Sequence, residues 1–291
     1  MKKNYGLDLN KEKLQQNEKD WVFGAVSPVC LAEGILERDR AMYLPKGERQ
    51  DIGTEKMDCA TRSPINMLEM KFNYLVQNKK ISAENINFLK DNGYIENGKV
   101  RFSDRGIAIL SGTSETGNSL KAPLEAIRIY GLIPKKLLPQ VENWNDYYKI
   151  ECITEELEEL GQEFRRHFNI NYEKVYEKNL DELLERDIID MAGYAWTEPN
   201  ANGEYPRSEY EPNHAFVGFK RPKTYIFDNY IDSVDGDFIK KLAPDYDFLS
   251  YGYRVIISEN KTGEIKKGWL EKVMFFLKEN WIALKSFLEK E

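Results

Sequence analysis

The chain has 291 residues, with 49 acidic against 42 basic side chains and a formal charge of −7. A hydrophobic share of 41% with 12% aromatics is too rich for a disordered chain, and the length suits one large domain or two small ones. The acid excess is spread along the sequence, which argues against a nucleic-acid partner. Two histidines, His167 and His214, cannot build a three-His zinc site. Three dispersed cysteines (Cys30, Cys59, Cys152) offer neither a zinc framework nor a disulfide framework. No metal or cofactor is expected, and the sparse, odd cysteine count fits a reducing compartment.

In chain order, residues 1–20 start basic but lack an apolar stretch. They read as a polar arm, mobile or loosely docked, and not as a secretory signal. Trp21 to Val26 is strand-like, and Pro28 ends it. Residues 45–58 read as loop. Ser63-Pro64 suits an N-cap and first turn, and the helix that follows to Val76 puts Ile65, Leu68, Phe72 and Leu75 on one face. A shorter helix spans Ser82 to Leu89, closed by Asp91-Asn92-Gly93. A Gly/Ser/Thr loop, 111–119, leads into a helix from Leu120 to Tyr130, stopped by Gly131. Residues 145–187 read as two helices with a break near Asn169-Ile170-Asn171. Beyond Met191 the texture changes to strands: 215–219, 224–227 and 253–257 are aromatic and β-branched runs bounded by turn residues. Helices first and strands later point to an α+β fold.

The C-terminal segment differs. Trp269, Leu270, Met274, Leu277, Trp281, Leu284 and Leu288 recur at helical spacing, with six lysines and four glutamates in 266–291. This helix packs on its own domain or another subunit, or meets a partner protein or membrane surface through residues 269–288. No run of 18 uncharged apolar residues exists, so no transmembrane helix is expected. The expected division is an arm over 1–20, a main domain over 21–260 and an amphipathic extension over 261–291.

With so few histidines and cysteines, candidate chemistry is easily searched. His167 lies in a charged helical segment and reads as a solvated or half-buried imidazole. His214 stands directly before an apolar strand, and the next strand ends at Asp228-Asn229. An antiparallel pair joined by the short 220–223 turn brings that strand end beside His214, giving a base and its orienting group. Cys30 and Cys152 read as small apolar residues. Cys59 ends a polar loop ahead of a helix, where backbone N–H groups lower a thiol's pKa. A Cys early in the chain, a His far downstream and an Asn or Asp shortly after it is the order of a papain-like thiol enzyme.

Here the sequence resembles the papain-like cysteine peptidases, especially divergent phage and bacterial members, over about residues 21–257. Leu44-Pro45-Lys46-Gly47-Glu48-Arg49-Gln50 is similar to the segment carrying the family's oxyanion-hole Gln. Asp58-Cys59-Ala60-Thr61 and the long helix are similar to the nucleophile region. Ser111-Gly112 through Gly117-Asn118-Ser119-Leu120, then Tyr130-Gly131-Leu132-Ile133-Pro134, resembles the substrate-binding wall, its helix and a following G-I/L-x-P turn. Asn213 to Phe219 resembles the H-A-V-x-x-V-G-Y strand, Tyr225 to Tyr230 the I-x-K-N-S-W segment, and Tyr251 to Val255 the closing G-Y-x-x-I strand.

The resemblance implies a two-layer papain-like fold: a helical half around the Cys helix, a strand-rich half holding His214, and a cleft between them. It implies a thiol peptidase with Cys59 as nucleophile, His214 as base, Gln50 as oxyanion donor, and Gly112, Gly117 and Asn118 presenting backbone to a peptide or protein substrate. The third member is Asp228 or Asn229, with Asp228 favoured because the neighbouring aromatic aligns with the family's Trp. An inactive scaffold used for binding or in a virion, and a cell-wall peptide hydrolase using the same dyad, are the alternatives. A cytoplasmic or virion-associated location fits either.

The departures are specific. Ala60 stands where the family has Trp. Gln50 precedes Cys59 by nine residues, so the loop between them must bulge. Pro64 cannot donate to Ala60, so either the first helical turn is irregular or the regular helix starts at Ser63.

Overall fold

The computed structural model describes residues 5–17, 20–22, 40–220 and 224–260. Its helices are α1 (Leu9–Gln15), α2 (Cys59–Gln77), α3 (Ala83–Asp91), α4 (Asp104–Leu110), α5 (Lys121–Tyr130), α6 (Trp144–Tyr147), α7 (Glu155–His167) and α8 (Glu177–Arg186). Strands β1 (Ile95–Glu96) and β2 (Lys99–Val100) form a small hairpin. The main sheet contains β3 (Phe168–Tyr176), β4 (Ile189–Gly193), β5 (Glu204–Tyr205), β6 (His214–Lys220), β7 (Thr224–Phe227), β8 (Ile239–Leu242) and β9 (Tyr251–Glu259). Its order is β3-β9-β4-β6-β7-β8-β5, antiparallel except for the short β5–β8 pair. This is the expected α+β architecture.

Helix α2 is buried from Cys59 to Leu75. Its apolar side chains meet Ala215, Val217 and Phe219 of β6 in one core, which extends to Phe102, Phe164 and Phe168. Phe72 packs edge-on against Phe102 and Phe168, with ring centres 5.4 and 5.0 Å apart. The opposite sheet face carries a second core, in which Phe216 and Met191 meet Leu180, Leu183 and Leu184 of α8. Alternation along β6 thus serves both layers.

Complete burial would be costly for the polar residues of α2 unless each were paired. Lys71 Nζ lies 2.7 Å from Asp187 and donates to the Val255 carbonyl at 2.8 Å. Asn73 donates to the Tyr43 carbonyl and accepts from Val100 N–H. Asn66 donates to the Asn229 side chain at 2.9 Å. Each bond ties the helix to a different part of the chain.

The helix begins at Cys59 and runs through Pro64, so Ser63-Pro64 is not its start. Asp58 occupies the N-cap position without a capping bond from its side chain. Its carboxylate instead holds Arg62 Nε at 2.8 Å and accepts from Tyr147 OH at 2.5 Å, while its carbonyl accepts from Thr61 and Arg62 N–H. This closed first turn and the burial of the whole helix outweigh the bond lost at Pro64.

Two further expectations change. The break expected near residues 169–171 is the nine-residue strand β3, paired along its length with β9. Its partner lies about 80 residues away, so no local signal announced it. The N-terminal residues 5–17, expected to be mobile or loosely docked, are packed. Glu12 is buried and accepts from Leu120 N–H at 2.6 Å and from Tyr251 OH at 2.7 Å. Asp8 caps α1 through Asn10 and Lys11 N–H. Of the expected 21–26 strand, Val22 bridges Lys174. Residues 23–39, including Cys30, and the expected helix over 269–288 lie outside the described residues. Among the described residues no helix is long and apolar enough to cross a membrane.

Replacing Lys71 by Met should leave Asp187 buried without its cation. Loss of about 3–5 kcal/mol is expected for such a half-broken buried pair, read as a lower denaturation midpoint at unchanged slope.

Candidate active site

Cys59 is the first residue of α2 and His214 the first residue of β6, and the two elements pack against each other. Ala215 N–H points at Cys59 Sγ, 3.4 Å away. Strand β7 ends at Phe227, and Asp228 follows it back to His214: His214 Nε2 lies 2.5 Å from Asp228 Oδ1. Cys59, His214 and Asp228 have no solvent exposure.

With Nε2–H donating to Asp228, His214 Nδ1 is left as the basic nitrogen, and it has no hydrogen-bond partner among the described residues. Trp196, Tyr230 and Tyr5 surround the imidazole, with ring centres 5.7, 5.4 and 5.5 Å from it.

Burial alone would raise the Asp228 carboxyl. The positive charges of His214 and Lys240, with hydrogen bonds from both, outweigh it and bring the group down to about 2. Asn229, the other candidate, faces elsewhere: it accepts from Asn66 and donates to the Glu48 carbonyl. Trp196 Nε1 also donates to Asp228 Oδ2, at 3.2 Å. Neither Trp196 nor Lys240 was found by sequence reasoning. Trp196 reaches the site from the segment after β4, adjacent in sequence to neither Cys59 nor Asp228.

The thiol departs from expectation. Burial pushes Cys59 well above the ordinary cysteine range, and the charges of Asp58, Glu55 and Asp228 push the same way. The Ala215 N–H bond opposes them without reversing the outcome. A helix N-terminus favours a thiolate only where solvent or a cation helps to carry the charge. In this conformation the surroundings favour the thiol over the thiolate.

Gln50 lies in the bulged loop before α2. Lys56 holds that loop, donating to the carbonyls of Ile52, Thr54 and Glu142 at 2.9, 2.5 and 2.6 Å. Gln50 Nε2 donates to Glu55 Oε1 at 2.7 Å and to the Tyr5 carbonyl at 3.0 Å.

Residues 5–8 therefore run through the site. Leu7 pairs with Asn118 in the parallel sense: Asn118 N–H donates to the Gly6 carbonyl, and Asp8 N–H donates to the Asn118 carbonyl, both at 2.9 Å. Gly117 has a positive φ of 95°, and a Cβ there would lie 2.1 Å from the Gly6 carbonyl oxygen, so glycine admits the strand. Lys11 Nζ then bonds the Gly117 carbonyl at 2.8 Å. The Asn118 side chain holds its own loop through Ser111 and Thr113. Gly112 makes the turn after α4 in open space, where a Cβ would meet nothing within 4 Å, and is not among the residues that bind the arm.

The remaining candidates are elsewhere. His167 is buried, not solvated: it stacks on Phe88 with ring centres 3.9 Å apart, and its Nδ1 lies 2.6 Å from Asn85 Oδ1. Cys152 accepts from Arg105 Nη2 at 2.9 Å.

Neither a protein-family model nor a curated protein matches the sequence. Solved structures do match in fold. Xylellain, a cysteine protease from Xylella fastidiosa, superposes with a TM-score of 0.52 at 13% identity, over 88% of this chain and 95% of that one. A structure from work on the mite allergens Blo t 1 and Der p 1 gives 0.52 at 9% identity, over 86% and 78% of the two chains. Procathepsin B S9 from Trypanosoma congolense gives 0.50 at 9% identity, over 88% and 87%. The chain has the papain-like cysteine peptidase fold.

Two outcomes test the site. Burying a leucine side chain is worth about 1.5–3 kcal/mol, so Leu7→Asp should free the arm and raise the rate of Cys59 alkylation by iodoacetamide about tenfold or more. Asp228 titrates lower folded than unfolded. The stability it contributes is in place above about pH 4 and is lost as pH falls towards 2. Between those values the wild-type melting temperature should fall more steeply than that of Asp228→Asn.

Proposed function

We propose that the chain is a papain-like thiol peptidase whose own residues 5–8 lie in the substrate cleft. The observation that carries this reading is the His214 arrangement: Nε2 is fixed by Asp228 and Nδ1 is unpartnered, while the next residue's N–H lies on Cys59 Sγ. This is the polarity a general base requires.

In the proposed reaction Cys59 Sγ attacks the peptide carbonyl carbon and gives its proton to His214 Nδ1. The carbonyl oxygen becomes an oxyanion, to which Gln50 Nε2 donates. The C–N bond breaks, and the departing amine takes the proton from His214. Water then attacks the thioester carbon and loses a proton to Nδ1. Sγ leaves with that proton, and the thiol is restored. Asp228 holds the imidazole tautomer and orientation in both halves.

The Tyr5 carbonyl on Gln50 and the Leu7–Asn118 pairing set a peptide backbone against the proposed oxyanion donor and the proposed substrate-binding loop. They support a peptide or protein substrate bound by strand pairing. They also account for the buried thiol, because the arm closes the cleft against solvent.

The buried, neutral Cys59 equally favours a second reading, a papain-like scaffold without activity. The Leu7→Asp background separates the two. An enzyme labels preferentially at Cys59 near pH 6, loses that preference in His214→Ala, and hydrolyses casein or peptidoglycan peptides in zymography. The choice of substrate divides a protease from a cell-wall hydrolase. Cys59→Ser should abolish turnover, and Gln50→Ala should cost about 100- to 1000-fold in kcat. Equal, slow labelling of the cysteines in Leu7→Asp, with no hydrolysis, would establish the scaffold.

A further inference from the structure

A buried cation stands behind Asp228. Lys240 Nζ lies 3.0 Å from Asp228 Oδ2 and donates to the Tyr230 carbonyl at 2.5 Å, and its side chain is 1% exposed. The register explains its reach. Strand β8 pairs Lys240 with Ile226 of β7, and Asp228 N–H continues the ladder to the Phe238 carbonyl. Lys240 is thus the diagonal cross-strand neighbour of Asp228, a separation that a long side chain spans. The ammonium also lies 5.4 Å from the Trp196 ring centre, so cation–π attraction holds it over the ring whose N–H binds the same carboxylate oxygen. Asp228 Oδ2 is thereby taken by Lys240 and Trp196. Oδ1 is left to His214 and to Asn229 N–H at 2.6 Å.

A carboxylate without exposure beside an imidazole would overstabilise the imidazolium and slow return of the proton to the leaving group. A cation on its far side cancels much of that field while leaving Oδ1 as acceptor. We propose that Lys240 is a positioning residue that neutralises Asp228, so that the pair offers His214 the orientation of a carboxylate with nearly the charge of an amide. The proposal rests on the catalytic reading of His214, but it concerns a charge balance that can be measured without turnover.

The other titratable groups that interact with Asp228 are Cys59 at the start of α2, Tyr5 of the arm, Tyr230 and Tyr246, with Asp58 and Glu55 acting in turn on Cys59. All are neutral or anionic at neutral pH. Among the described residues around the pair, Lys240 is the cation.

The test is the titration of His214 in the full-length protein by NMR of selectively labelled histidine. Only His167 and His214 contribute, and the signal lost in His214→Ala identifies the second. Lys240→Met should raise the His214 midpoint by about one pH unit, since it leaves the opposite charge of Asp228, 2.5 Å from the imidazole, uncompensated, and an opposite charge that near shifts a group by about 1–3 units. Asp228→Asn should lower it. The double variant Asp228→Asn/Lys240→Met should return it to within about 0.3 of the wild type, because both charges are then gone. A purely structural lysine would give no such rescue. The His167 signal reports whether each variant is folded, and Lys240→Gln serves if the Met variant is not. An unchanged midpoint in a folded Lys240 variant, or a double variant that stays displaced, overturns the proposal. Absence of hydrolysis with these shifts intact would overturn the peptidase reading and leave the charge balance standing.

Discussion

A helix buried along its length can carry polar side chains only where another element meets each one. Helix α2 satisfies this at Arg62, Asn66, Lys71 and Asn73, whose partners lie in the loop before it, after β7, in β9 and beside Asp187, and at β2 and Tyr43. An unmet buried donor costs about 1–3 kcal/mol and an unmet charge more, so these bonds fix where the surrounding segments lie. The position of Cys59 follows. It is the first residue of a helix that cannot slide or rotate without breaking several buried pairs, and β6 packs on that helix with His214 at its leading end.

The same logic of satisfied polarity governs the N-terminal arm. Its composition suggests solvation, yet Glu12, Gln15, Lys11 and Asp8 each find a specific partner around the 114–120 loop or on Tyr251. These bonds hold Leu7 against Asn118 and bring the Tyr5 carbonyl to Gln50. The arm also brings the Tyr5 ring within 5.5 Å of the His214 ring centre, and Cys59, without exposure, lies among carboxylates with one backbone N–H for compensation. The protonation of the sulfur is set by burial and the neighbouring carboxylates more than by the helix terminus at which it sits.

Asp228 shows how a charge can be kept in the same dry environment. Four donors converge on it: His214, Asn229 N–H, Trp196 and Lys240. Two are cationic or can become so, which is why it stays ionised where Asp190, buried with Ser63 as its one hydrogen-bonding side chain, is pushed well above the carboxylate range. Burial is the same for both carboxylates, and the partners decide the outcome.

The sequence by itself determined the α+β class, the strands holding His214 and preceding Asp228, and the grouping of Cys59, His214 and Asp228. The class, the strands and the nearness of Asp228 to His214 follow from short-range signals: apolar periodicity, turn residues, and a short connection that forces two strands to be antiparallel neighbours; the grouping with Cys59 is what the resemblance to papain-like peptidases implies. It did not reveal β3, whose pairing with β9 spans some 80 residues, or a helix running through Pro64, whose local cost is offset by burial. Nor did it reveal Trp196 and Lys240 behind Asp228, or the docking of residues 5–8, because register and polar pairing between distant segments leave no periodicity in either one. What only the tertiary structure decided is the electrostatic state of the site. The charge of Cys59 and of Asp228 depends on solvent exclusion and on which cation stands beside them, and both arise only when separate parts of the chain pack together.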